Sequence, residues 1–140
     1  MAAVSISRLL VDAVRALEAE VGPALVDRGA TELSPSQARA LLLVDRTGTR
    51  LTELSQRAGV TKQAMMQMID DLQGIGCVRR TPDPEDARAK VVRLTAKGLR
   101  QRAGARKAIQ TVESRVKRRL GPRRYEALRV TLEELASEEE

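Results

Sequence analysis

Two helical stretches separated by a single glycine constrain this chain more than any other feature. Residues Leu51 to Ala58 predict a short helix, with Thr52 as its expected N-cap and Gly59 as its left-handed exit. Val60 and Thr61 lead into a longer helix, Lys62 to Ile75, capped by Thr61 and ended by Gly76. That second helix has two faces. Met65, Met68, Ile69 and Leu72 recur at helical spacing as an apolar stripe, while Gln63, Met66, Gln67 and Asp70 point the other way. Such a pair can present its second helix to the major groove of DNA. The same spacing also fits an ordinary helical hairpin with a polar face.

The next segment of the chain narrows the choice. Cys77 to Thr81 predicts a short strand, Pro82-Asp83-Pro84-Glu85-Asp86 a turn, and Ala89 to Leu94 a return strand with Val92 and Leu94 on one face. Together they make a two-stranded β-hairpin. Its tip places Asp86 two residues before Arg88, where a carboxylate can orient a guanidinium through a bidentate pair. An oriented arginine on a thin loop suits a minor groove; a plain surface ion pair is the alternative.

Helices flank this unit. Ile6, Leu10, Val14, Leu17, Val21 and Leu25 form one face of a helix over residues 5–27, which Pro23 should kink or end near Gly22. Ser34-Pro35-Ser36-Gln37 reads as a capping box opening a helix that stops near Gly48. Thr95 caps a long helix striped by Leu99, Ala103, Ile109, Val112, Val116 and Leu120, broken at Gly121-Pro122. A last helix carries Tyr125, Leu128, Leu132 and Leu135, and Glu138, Glu139 and Glu140 oppose its dipole, so the tail is expected to fray.

Composition adds limits. The 140 residues include one Tyr and no Phe or Trp, so the core must come from Leu, Val, Ile, Ala and Met. The formal net charge of +6 suits a polyanionic partner. It is concentrated: residues 99–124 carry +9, and residues 125–140 carry −5. The basic stretch is a solvated helix face or a secondary contributor to DNA affinity through Arg100 and Arg102. Arg118 and Arg119, farther along the helix, are the weaker candidates and can instead pair with Glu133, Glu134 and Glu138 within the chain or across the dimer.

The single cysteine, Cys77, fits a reducing compartment, and no signal peptide or membrane span is evident, which implies a cytoplasmic protein. It reads as a buried small residue rather than a thiol sensor, although Arg79 and Arg80 could depress its pKa. Of Met65, Met66 and Met68, two fall on the apolar stripe, so the group reads as core filling and not as a metal or redox set. With no His, no Gly-rich phosphate loop and no metal-ligand cluster, neither an enzyme nor a cofactor is expected.

The residues Leu51-Thr52-Glu53-Leu54, Gly59-Val60-Thr61-Lys62-Gln63-Ala64 and Asp70-Asp71-Leu72, followed by Gly76, Val78, Arg79-Arg80, Asp83, Asp86, Arg88 and Leu94-Thr95-Ala96-Lys97-Gly98, resemble the multiple-antibiotic-resistance regulator (MarR) family. The resemblance is strongest over residues 33–98. It implies a mainly α (α+β) winged helix-turn-helix with a two-stranded wing and N- and C-terminal dimerisation helices. The implied units are 1–32 and 99–140 for dimerisation and 33–98 for DNA binding. It assigns groove contacts to Thr61, Lys62, Gln63, Met66 and Gln67, the minor-groove contact to Arg88, the positioning of that arginine to Asp86, and backbone support to Arg80 and Lys90.

The chain departs from the family pattern at Ser55, where Ala is usual, and at Met66 and Gln67, where polar or basic contacts are usual. Its scarcity of rings leaves an aromatic effector pocket without stacking partners. The expected function is a transcription regulator, a repressor that binds double-stranded DNA at a pseudo-palindromic operator as a homodimer and is modulated by a small molecule. The alternatives are a non-specific architectural DNA-binding protein and a winged-helix adaptor.

Overall fold

The computed structural model describes residues 2–137. Its elements run α1 (Ile6–Asp27), α2 (Pro35–Leu43), β1 (Thr49–Arg50), α3 (Leu51–Ala58), α4 (Lys62–Gly74), β2 (Val78–Pro82), β3 (Lys90–Leu94), α5 (Ala96–Leu120) and α6 (Pro122–Ser137).

Local capping chemistry starts four of the helices, and at α1 Ser5 Oγ accepts the Arg8 amide at 3.3 Å. Ser34 Oγ accepts the Gln37 amide at 3.2 Å while the Gln37 side chain accepts the Ser34 amide at 2.9 Å, the expected capping box. Thr61 caps α4 by accepting the Ala64 amide at 3.1 Å, and Thr95 caps α5 by accepting the Gly98 amide at 3.0 Å. Gly59 closes α3 at φ +64°, where a Cβ would be strained.

Of the two outcomes expected at Pro23, a kink or an end near Gly22, the end does not occur: α1 continues to Asp27. The residue before the proline is Gly22, which has no Cβ to collide with the ring, and Val21, Ala24 and Leu25 on either side are buried. Helix α2 stops at Leu43, earlier than the expected Gly48, because the buried Val44 turns extended and Thr49 Oγ1 accepts the Asp45 amide at 2.9 Å. Helix α3 is capped by Arg50 without a side-chain bond, so Thr52 lies inside the helix and is not its cap. Its carbonyl instead accepts Ser55 Oγ at 2.8 Å, which leaves the serine hydroxyl satisfied within its own turn.

The sheet has three strands, not the two expected, in the order β1-β3-β2 and antiparallel throughout. Thr49 pairs with Val92 and Arg50 with Val91 on one side of β3, and Arg80 pairs with Val92 on the other. Arg93 ties β3 to β2 and to the turn before β1, donating to Thr81 Oγ1 at 2.9 Å and to the Thr47 carbonyl at 2.6 Å.

One aliphatic core joins the base of α1 to the helix-turn-helix and the sheet. Leu25, Leu41, Leu54, Met65, Ile69, Leu72, Val78 and Val92 are all buried in it, with Ala105, Ala108 and Val112 of α5. The buried stripe of α5 differs from the expected one: Leu99 and Ala103 are exposed, and Gly98, Gly104, Ala105, Ala108 and Val112 face inward. Small residues let α5 approach the head backbone to backbone. A Cβ on Gly98 would lie 1.9 Å from the Cys77 carbonyl oxygen, and one on Gly104 would lie 2.7 Å from that of Arg28.

The outer helices leave apolar faces uncovered. Ile6 is 69% exposed, Leu9 53% and Val14 47% on α1, and Leu135 is 49% exposed on α6, which buries none of its residues. Contiguous apolar surface of this kind marks an interface. Arg119 pairs with Glu20 of α1 at 2.7 Å and Glu133 with Arg129 of its own helix, so the basic stretch does not pair with Glu133 within the chain. Glu138, Glu139 and Glu140, and with them the expected fraying, lie outside the described residues. Among the described residues no helix is long and apolar enough to cross a membrane.

Candidate nucleic-acid interface

Helix α4 is bolted into the core through Met65, Ile69 and Leu72, with Met68 half-buried beside them, and this fixes which residues face out. Lys62, Gln63, Met66 and Gln67 are exposed along one side. Thr61 spends its hydroxyl on the cap, and its free contribution is the helix N-terminus, whose unpaired amides favour a phosphate. Gln67 Nε2 donates to Asp71 Oδ1 at 3.1 Å, so its amide is tethered along the helix. Lys62 and Gln63 extend from the first turn, where an exposed lysine suits phosphate or guanine and a glutamine suits adenine.

Arg80 on β2, assigned by resemblance as a support near the DNA backbone, lies against α4. Its guanidinium turns onto α4, donating to Asp70 Oδ1 at 2.6 Å, to Gln73 Oε1 at 3.3 Å and to the Met66 carbonyl at 3.4 Å. It ties the hairpin to the exposed face of the helix and neutralises the acid there.

The hairpin turn is built on two aspartates. Asp83 Oδ1 accepts the Glu85 amide at 2.9 Å and Asp86 Oδ1 the Arg88 amide at 3.0 Å. The Asp83 amide donates to the Ala89 carbonyl at 3.0 Å, closing the loop. Asp86 therefore positions Arg88 through its backbone, and the expected carboxylate–guanidinium pair is not made. The Arg88 side chain is exposed and enters no ion pair among the described residues. Lys90, opposite Pro82 at the start of β3, is exposed as well.

Arg50 is a contributor that sequence reasoning missed. From β1 its Nε donates to Asp83 Oδ2 at 2.5 Å, and its Nη2 lies 3.8 Å from Glu85. The Asp83 side chain is 5% exposed. The Glu85 amide, and after it the Arg50 guanidinium, hold the Asp83 carboxyl below its ordinary pKa against the opposing effect of burial. Thus the wing is latched to the strand that runs straight into the helix-turn-helix. Arg50 and Asp83 are 33 residues apart, and no local pattern pairs them.

Cys77 is fully buried, and burial raises its thiol pKa; the charges that act on it are Lys97 and Glu32, not Arg79 or Arg80. A buried, protonated thiol is a poor redox sensor. Farther from the wing, a cleft of about 380 Å³ opens between α1, α5, α6 and the start of α2, with Val14, Leu17, Val116, Leu128 and Leu132 among its walls. The one aromatic ring of the chain, Tyr125, lines it, so the cleft does contain a stacking partner.

Residues 31–89 match the sequence model of the MarR family. No curated protein sequence is significantly similar to the chain. Among solved structures, the transcriptional repressor CouR bound to a 23-mer DNA duplex is 28% identical, with a TM-score of 0.82 over 94% of this chain and 92% of that one. CouR bound to p-coumaroyl-CoA is also 28% identical, with a TM-score of 0.82 over 96% and 93% of the two chains. The reduced form of MarR from E. coli, 20% identical, shares the fold with a TM-score of 0.77 over 96% of this chain and 98% of that one.

Proposed function

We propose that this chain is a transcription regulator of the MarR type, a DNA-binding repressor that occupies a pseudo-palindromic operator as a homodimer and is modulated by a small molecule. The observation that carries this reading is the pairing of an exposed Lys62–Gln63–Met66–Gln67 face on a core-anchored helix with an ion-pair-free Arg88 on a latched wing. The helix enters the major groove, with the N-terminus at Thr61 against a phosphate. Arg88 enters the flanking minor groove, where a guanidinium reads shape and negative potential. Asp86 and Arg80 act as supports inside the protein, and Lys90 meets the backbone near the wing.

The working division is a reading head over 33–98 and dimerisation segments over 1–32 and 99–140. The uncovered faces of α1 and α6 are the natural dimer interface. Two heads related by a twofold axis read half-sites about 10 base pairs apart. The cleft lined by Tyr125 suits a largely apolar effector. In this reading the protein works by binding alone, in the cytoplasm.

Fluorescence anisotropy with a native upstream fragment and a shuffled control tests it. Arg88→Ala is expected to weaken both by a similar factor, roughly 10-fold, while Gln63→Ala weakens the native fragment more than the control. Wild-type affinity in both variants would overturn the assignment, and equal affinity of the wild type for both DNAs would favour an architectural role.

A further inference from the structure

A second basic site lies away from the reading face. Arg46, in the turn before β1, and Arg102 and Arg106, one turn apart on α5, line a recess of about 210 Å³ together with Leu94, Leu99 and Ala103. Arg102 Nε is buried and has no hydrogen-bond partner among the described residues. None of the three arginines forms an ion pair among those residues. Asp45, the carboxylate that acts on Arg102, is already held by Arg57 at 3.0 Å. Burial, and then the like charges of Arg106 and Arg46, pull the Arg102 pKa below its ordinary value. A solvated helix face would keep its guanidiniums apart and hydrated. Here they converge, and a buried donor goes unused.

We propose that this recess binds a phosphate group, separately from the reading face and from the cleft lined by Tyr125. Guanidinium forks match a phosphate in geometry as well as charge. The leucines beside them suit the organic part of a phosphate ester. Leu94 ends β3, and the wing tip lies at the other end of that strand, so the recess sits at the base of the sheet. That placement favours a small phosphate ester over a DNA phosphate. Once bound, it would bridge the turn before β1 to α5 and join the head to the long helix.

Thermal unfolding of the intact dimer in inorganic phosphate, against sodium chloride at equal ionic strength, is the test. The wild-type midpoint is expected to rise with phosphate, and Arg102→Gln or the exposed Arg46→Gln to weaken the apparent affinity by about 10-fold. A general salt effect would raise all three proteins equally and would overturn the proposal. The salt dependence of DNA binding by Arg46→Gln identifies the source. An unchanged slope with a lost phosphate response supports a small ester. A slope reduced by about 0.9 supports the same phosphate site filled by the DNA backbone.

Discussion

Gly98→Ala is expected to destabilise the folded protein by at least about 3 kcal/mol, lowering the thermal midpoint by roughly 10 °C. Two effects oppose each other. Alanine improves intrinsic helix propensity by about 1 kcal/mol over glycine, which alone would stabilise α5. Against that, the new methyl would sit 1.9 Å from the Cys77 carbonyl oxygen and 2.9 Å from its carbon. The carbonyl cannot easily withdraw, because it accepts the Thr95 amide at 3.1 Å while Thr95 Oγ1 donates to the Gly76 carbonyl at 2.5 Å. Overlap with fixed backbone therefore exceeds the propensity gain.

Gly104→Ala, whose Cβ would lie 2.7 Å from the Arg28 carbonyl oxygen, should be destabilised less. Gly74→Ala in α4, with nothing within 4 Å, should be neutral or slightly stabilised. Scanning calorimetry of the three variants at equal protein concentration checks the order, and a Gly98→Ala midpoint at or above wild type would contradict the packing described.

Arg50→Met is expected to weaken DNA binding by about 10-fold without contacting DNA, by releasing the wing that carries Arg88. The methionine fills similar space but leaves the Asp83 carboxylate without its cation. Arg50→Lys, which keeps the charge and loses the fork, should fall between the two. A double-mutant cycle separates positioning from general damage. If Arg50 acts through Arg88, then Arg50→Met combined with Arg88→Ala should bind no worse than Arg88→Ala alone. Fully additive losses would assign Arg50 a DNA contact of its own, and wild-type affinity in Arg50→Met would remove the latch from the mechanism.

The sign of the pH dependence is set by Asp83, whose folded pKa lies below the ordinary 3.8. The contribution of the latch is therefore complete above the unfolded pKa and is lost only as pH falls through the lower folded value. Around neutral pH, binding should not vary on account of this group.

The features legible in the sequence are those set by neighbours a few residues away. The capping box at Ser34, the caps at Thr61 and Thr95 and the left-handed exit at Gly59 each depend on one helical turn, and the structure forms all four. The exposed face of α4 is legible for a related reason, since burying Met65, Ile69 and Leu72 leaves only one side for Gln63 and Gln67.

The misses depend on distant partners. Strand β1 is two residues long and becomes a strand only beside Val91 and Val92. The stripe of α5 escapes a hydrophobic pattern, which scores Leu99 and overlooks Gly98, whereas the contact needs the absence of a side chain. Asp86 is expected to hold a guanidinium and holds an amide, and the carboxylate that does grip an arginine, Asp83, finds it on another strand.

The uncovered faces of α1 and α6 have a genetic consequence. In the proposed dimer, subunits that assemble through these helices and touch DNA through other residues would exchange partners without regard to whether each can bind. A subunit carrying Arg88→Ala keeps its assembly surface intact and will enter mixed dimers as readily as the wild type. With equal amounts of both, only about a quarter of the dimers hold two sound wings if pairing is random. Such an allele should behave as dominant over the wild type, whereas a lesion that removes the folded subunit itself should be recessive.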